Sequence, residues 1–100
     1  MVGEVDRASF VYILASRTNG TLYVGVTTDL VGRISQHRDH VAEGFTKRYN
    51  VTRLVHYEMF GDVSLAIQRE KQLKNWHRAW KIQLIEASNP RWDDLYETLF

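Results

Sequence analysis

Residues 10–26 read Phe-Val-Tyr-Ile-Leu-Ala-Ser-Arg-Thr-Asn-Gly-Thr-Leu-Tyr-Val-Gly-Val. Residues 10–15 and 21–26 are short apolar runs, rich in the aromatic and β-branched side chains that suit a pleated, half-buried surface. Between them, Asn19 and Gly20 supply the residue types that tolerate the positive φ angles of a tight hairpin turn. The stretch therefore predicts a β-hairpin. With Asn19 and Gly20 at the turn, Thr18 opposes Thr21, Leu14 opposes Gly25 and Tyr12 opposes Thr27. Side chains alternate across a strand, so Tyr12, Leu14, Tyr23, Gly25 and Thr27 share one face. Val11, Ile13, Leu22, Val24 and Val26 take the other. Both faces are apolar, so the hairpin is expected between two layers of cover.

After the hairpin, Thr28 or Asp29 offers an N-cap, and Leu30, Ile34 and Val41 recur at helical spacing until Gly44 ends the helix. Residues 51–60 read as a third strand. Asp62 is the expected N-cap of the next helix, whose apolar stripe is Val63, Ala66, Ile67 and Leu73. Helix continues to about residue 87, with a break near residues 75–77, until Asn89 and Pro90 stop it. Residues 92–99 read as a short terminal helix or coil, and residues 1–8 as a polar lead-in. The order β-β-α-β-α-α predicts an α+β domain, a small three-stranded antiparallel sheet flanked by helices.

A chain of 100 residues supports one domain with one core. The absence of cysteine rules out a disulfide framework and any thiolate metal site. No apolar run approaches the roughly 18–20 residues of a membrane-spanning helix. The N-terminal residues are too polar for a signal peptide, so a cytoplasmic protein without a membrane partner is expected. The net charge of +1 argues at first against a polyanion-binding protein. The charge is uneven, however. Residues 31–85 hold ten Lys/Arg, five Asp/Glu and all four His, a net +5, and the two ends together carry −4. A basic middle is compatible with a phosphate-facing surface and equally with solvated helix faces.

The polar residues inside the apolar stripes are more informative. Projected at about 100° per residue, Glu70 falls between Ala66 and Ile67, in the middle of the stripe that starts at Val63. A carboxylate goes there when it is paired, for instance with Arg33, or when it binds a metal. On the earlier helix His37 falls among Leu30, Ile34 and Val41, one turn beyond Arg33. A hydrogen-bonded core histidine, an ion pair and two good strand tyrosines would each explain one of these residues. Their convergence on inward faces is the signature of a site.

Such a set suits phosphodiester hydrolysis. The Arg fork matches phosphate oxygens. A lone carboxylate suits Mg²⁺, which keeps several waters and polarises the phosphoryl group. Tyr and His can position or deprotonate the attacking water. Zinc hydrolysis fits worse, because no His-Glu-x-x-His occurs and the four His are scattered.

Phe-Val-Tyr (residues 10–12), Tyr-Val-Gly (residues 23–25), Arg33, His37 and Glu70 resemble the ordered motifs of the GIY-YIG nuclease superfamily. More closely, the chain is similar to its small stand-alone bacterial members over about residues 9–96, a likeness carried further by Arg-Glu-Lys-Gln-Leu-Lys-Asn-Trp and Asn-Pro-Arg-Trp-Asp-Asp-Leu. The resemblance implies that Tyr12 contacts the attacking water and is a candidate general base. By the same resemblance, Tyr23 positions water and scissile phosphate, Gly25 keeps the site uncrowded and Arg33 stabilises phosphate charge. His37 has an accessory proton-transfer or phosphate role, and Glu70 holds one Mg²⁺ or Mn²⁺ ion. A supporting asparagine is expected at Asn89, with Asn75 as second choice. The first motif departs from Gly-Ile-Tyr but keeps its tyrosine. Val26 stands where some nucleases have Lys, which removes one expected phosphate contact.

The leading expectation is a metal-dependent DNA endonuclease, selective for DNA structure rather than sequence because the chain has no room for a targeting domain. A homodimer or a targeting partner protein would supply selection. Arg38, Lys47, Arg48, Lys71, Lys74 and Arg78 are the expected backbone contacts. Tyr49, Trp76 and Trp80 are candidates for base stacking, with Trp80 expected in the core. The alternatives are a nucleic-acid-binding module that keeps the fold without turnover, and a protein-interaction domain.

Overall fold

The computed structural model describes residues 8–40 and 44–100. Residues 1–7 of the expected lead-in, and Val41 of the first helical stripe, lie outside them. Strands β1 (Ser9–Ala15), β2 (Leu22–Thr27) and β3 (Arg53–Phe60) form one antiparallel sheet in the order β2-β1-β3. Helices α1 (Leu30–Arg38) and α2 (Phe45–Tyr49) lie between β2 and β3. Helices α3 (Val63–Asn75) and α4 (Arg78–Ser88) follow, with a 3₁₀ turn at Leu95–Leu99. The α+β architecture with a three-stranded sheet is as the sequence predicts, with one additional short helix.

The hairpin forms, but its register differs from the expected one. Gly20 N–H donates to the Arg17 carbonyl (2.9 Å) and Ser16 N–H to that of Thr21 (3.0 Å), so the turn spans residues 17–20. Asn19 takes the left-handed conformation (φ 56°) at the third turn position. Ser16 Oγ accepts from Thr21 N–H at 3.0 Å. It lies where a Cβ on residue 20 would come within 2.3 Å, so glycine is required there for close approach. Leu14 therefore opposes Tyr23, and Tyr12 opposes Gly25. The slip is two residues, and side chains repeat every two, so the expected faces survive it.

Both faces are covered. Val11, Ile13, Val24 and Val55 meet Ala66 and Leu73 of α3, Ile85 of α4, and Trp92. Tyr12, Leu14 and Leu54 on the opposite face meet Leu30 and Ile34 of α1. Asp29 caps α1 through Gly32 N–H (3.1 Å), and Asp62 caps α3 through Ser64 N–H (2.8 Å).

Three expectations need correction. Gly44 does not end α1, which stops at Arg38. With φ 94°, a conformation that favours glycine, Gly44 instead leads into α2. Val63 and Ile67 are not core residues: they are 50% and 38% exposed, and α3 turns Ala66 and Leu73 to the sheet, with Glu70 half-buried beside them. Trp80 is 51% exposed rather than in the core. The expected break between α3 and α4 is present at residues 76–77.

The C-terminal segment is fastened across β3. Asn89 is buried, and its amide donates to the Val55 (3.1 Å) and Asp93 (2.9 Å) carbonyls. Asp94 accepts from Leu54 N–H at 3.2 Å and from Tyr96 N–H at 3.1 Å. No helix among the described residues is long and apolar enough to cross a membrane.

Candidate active site

The site is built on the pair Tyr12 and Gly25, directly opposed on β1 and β2. A Cβ at position 25 would lie 2.4 Å from both Cζ and Oη of Tyr12. Only glycine lets the phenol lie across β2. The Tyr12 hydroxyl then reaches α1, where it bonds His37 Nε2 at 3.1 Å. His37 Nδ1 in turn meets Thr46 Oγ1 of α2 at 2.8 Å. Tyr23 stands beside both rings, with centroids 6.3 Å from Tyr12 and 5.6 Å from His37.

Burial divides these groups. Tyr12 and His37 are 1% and 2% exposed, whereas Tyr23, Arg33 and Glu70 are half-buried. Burial pushes the Tyr12 phenol up to about 12, aided by Tyr23 and Glu70 and opposed by the Arg33 guanidinium. Burial, with the Arg33 charge, pulls His37 down to about 4. At neutral pH the phenol therefore keeps its proton and the imidazole is neutral. A neutral imidazole accepts on one nitrogen and donates from the other, so Tyr12, His37 and Thr46 form one directional hydrogen-bond chain.

Arg33 lies one turn before His37, and its Nη1 donates to Gln36 Oε1 at 2.9 Å. Glu70 does not pair with Arg33. Its Oε2 accepts from Lys74 Nζ at 2.9 Å, one turn along α3. Its other oxygen has no such partner among the described contacts, and its charge reaches Tyr12. Among the described residues no group of three or more His, Cys, Asp or Glu could enclose a metal. A single carboxylate fits a hydrated hard cation and fits poorly any ion that needs a full protein ligand cage.

The structure thus brings together Tyr12, Tyr23, Gly25, Arg33, His37 and Glu70. Asn89 is instead a buried clip on the main chain, and Asn75 is the exposed last residue of α3. Of the expected nucleic-acid contacts, Lys47, Arg48 and Lys71 are exposed. Arg38 is tied to Asp94 (2.6 Å) and covers the Tyr96 ring. Arg78 donates to the Asn19 and Gly20 carbonyls (2.7 Å each), so it fastens the hairpin turn to α4. Lys74 is the partner of Glu70.

Two residues of the site were not singled out from the sequence. Thr46 has no local signal, because a threonine after Gly44 reads as loop and α2 has only five residues. Phe45 is 44% exposed and stacks on Tyr23 with centroids 6.3 Å apart. Its isolated position carries no helical periodicity.

Comparison with known proteins places the chain in a family. A family model described as the GIY-YIG catalytic domain matches residues 8–83. A UPF0213 protein of Staphylococcus haemolyticus is 36% identical over 77 residues, spanning 77% of this chain and 93% of that protein. A UPF0213 protein of Natronomonas pharaonis is 37% identical over 76 residues, spanning 76% of this chain and 88% of that one. The solution NMR structure of a UPF0213 protein from Bacillus halodurans superposes with a TM-score of 0.55 at 29% identity, over 87% of this chain and 92% of that one.

Proposed function

The chain belongs to the GIY-YIG catalytic domain family, and from that premise we propose that it is a divalent-metal-dependent endonuclease that hydrolyses DNA phosphodiester bonds. The observation that carries the proposal is the convergence of two phenols, an imidazole, a guanidinium and a carboxylate around Gly25. Few structural roles need all five at one point.

Each group has a task in this reading. Glu70 would hold one Mg²⁺ or Mn²⁺ ion, which when bound supplies charge stabilisation at the scissile phosphate. Arg33 donates to the phosphate oxygens as charge develops. Tyr23, the more open phenol, positions the attacking water. The water proton passes to the Tyr12 oxygen while the Tyr12 proton moves to His37 Nε2, and Thr46 holds the Nδ1 proton. Because the Arg33 charge helps to keep His37 weakly basic, a phosphate bound to Arg33 raises the proton affinity of His37 when it is needed.

The test is cleavage of plasmid and branched DNA with Mg²⁺ or Mn²⁺ and with EDTA, for wild type beside Glu70→Ala and Tyr12→Phe. Metal-dependent cleavage lost in both variants is the expected result. Cleavage that survives Glu70→Ala overturns the mechanism. A second reading, a nucleic-acid-binding module without turnover, is favoured by one observation: the Lys74 ammonium already sits on Glu70 at 2.9 Å. Binding without cleavage of any DNA or RNA would select it.

A further inference from the structure

An aromatic row leads away from Tyr23. Phe45 stacks on Tyr23, with centroids 6.3 Å apart and planes 24° apart. Tyr49 follows at 4.8 Å from Phe45, and the Arg48 guanidinium lies 5.5 Å from the Tyr49 ring. Phe45 and Tyr49 are 44% and 49% exposed. Along one side of the row, a groove of about 350 Å³ is lined by Tyr23, Phe45, Lys74 and Lys81 together with Leu22 and Val24 of edge strand β2.

We propose that this groove is a subsite for an unpaired nucleotide adjoining the scissile phosphate, its base stacked on Phe45 and its phosphate held by Lys74 and Lys81. The inference rests on the nuclease reading for the position of the scissile bond, and it specifies the substrate class as DNA with unpaired nucleotides at the cut. A duplex backbone offers phosphates and sugars, for which lysines suffice and an open ring has no use. Paired bases are covered on both faces by their neighbours in the stack. An exposed aromatic face flanked by cations is what a single strand requires, because every base has a π-face and every linkage a charge. Partial burial and the nearby Arg78 both pull the Lys81 pKa down, a strain that a bound phosphate relieves. Lys74 releases Glu70 when it turns to the nucleotide, so occupancy of the groove and access to the carboxylate are coupled.

Binding of the full chain without divalent metal tests the subsite independently of cleavage. The probes are a single-stranded oligonucleotide carrying 2-aminopurine and the same strand fully paired. Wild type is expected to prefer the single strand and to change the 2-aminopurine emission on binding. Phe45→Leu, which keeps an apolar side chain but no π-face, weakens single-strand binding about tenfold and abolishes the emission change. Its effect on the duplex is at most about twofold, and Phe45→Trp restores the single-strand affinity. Replacing both Lys74 and Lys81 by Ala lowers the salt dependence, log K against log salt, by roughly 1.4. Equal losses on both probes, wild-type binding by Phe45→Leu, or preference for the duplex would overturn the subsite. A protein that passes this test yet cleaves nothing loses only the nuclease reading, and one that fails it yet cleaves duplex DNA loses only the subsite.

Discussion

Two sets, each of a histidine, a glutamate and an arginine, are used in opposite ways. On the face toward α3 and α4, His56, Glu58 and Arg69 satisfy one another. Glu58 accepts from His56 Nε2 at 2.8 Å and from Arg69 Nε and Nη2 at 2.8 and 3.1 Å. These bonds, with that from His56 foremost, hold its carboxyl down to about 2 against the opposing effect of burial. In the site, His37, Glu70 and Arg33 do not touch. His37 bonds Tyr12 and Thr46, Glu70 bonds the exposed Lys74, and Arg33 bonds Gln36. A closed set of charges stabilises a fold. A set held apart, with Arg33 and Glu70 only half-buried, is free to meet a substrate.

The two arginines should respond to substitution in opposite ways. Arg33→Ala should lower the cleavage rate by about 10²–10³ with little change in melting temperature, as expected for loss of one transition-state donor. Arg69→Ala should leave cleavage near wild type but reduce stability by about 2–3 kcal/mol in denaturant unfolding, because Glu58 loses its charged partner. The reverse pattern would exchange the roles of the two sets.

Acid titration of stability sharpens the contrast. His37 has a folded pKa of about 4 against 6.5 unfolded, so the unfolded chain binds its proton first. Its contribution is complete above pH 6.5 and is lost as pH falls toward 4. Glu58 has a folded pKa of about 2 against 4.5, so its contribution is complete above pH 4.5 and is lost between there and 2. Each step is worth at most about 3 kcal/mol. Unfolding free energies measured from pH 8 to 2 should show two descents, the upper absent in His37→Phe and the lower absent in Glu58→Gln.

Smaller effects probe the site scaffold. Gly25→Ala should destabilise by about 1–3 kcal/mol, because the added methyl displaces the Tyr12 ring from 2.4 Å. Thr46→Val should slow cleavage about tenfold, with Thr46→Ser near wild type in the same rate assay. A hydroxyl that only fills space would make valine the better replacement.

The pairing of β1 with β2 was legible in the alternation of residues 10–15 and 21–26, and so were the faces. The register was not, because a two-residue slip preserves every face and is decided by local geometry at Ser16 and Gly20. His37 could be read as a polar residue within an apolar stripe and is indeed buried. Glu70 is half-buried rather than in the middle of a buried face, because Val63 and Ile67, which defined its stripe, face outward. Thr46 and Phe45 were invisible because five residues are too few for a helical period. The closed triad of His56, Glu58 and Arg69 was also missed, since its arginine comes from another element and a strand glutamate carries no signal of its partner. The same limit applies to Arg38 and Arg78, whose carbonyl and carboxylate partners lie 56 to 59 residues away in sequence.

The most direct test compares two glutamates. Cleavage rate and melting temperature should be measured side by side for Glu70→Gln and Glu58→Gln, with Mg²⁺ and branched DNA. Glu70→Gln should abolish cleavage and melt as wild type does, whereas Glu58→Gln should melt several degrees lower and still cleave. Cleavage by Glu70→Gln at the wild-type rate would contradict the proposed mechanism.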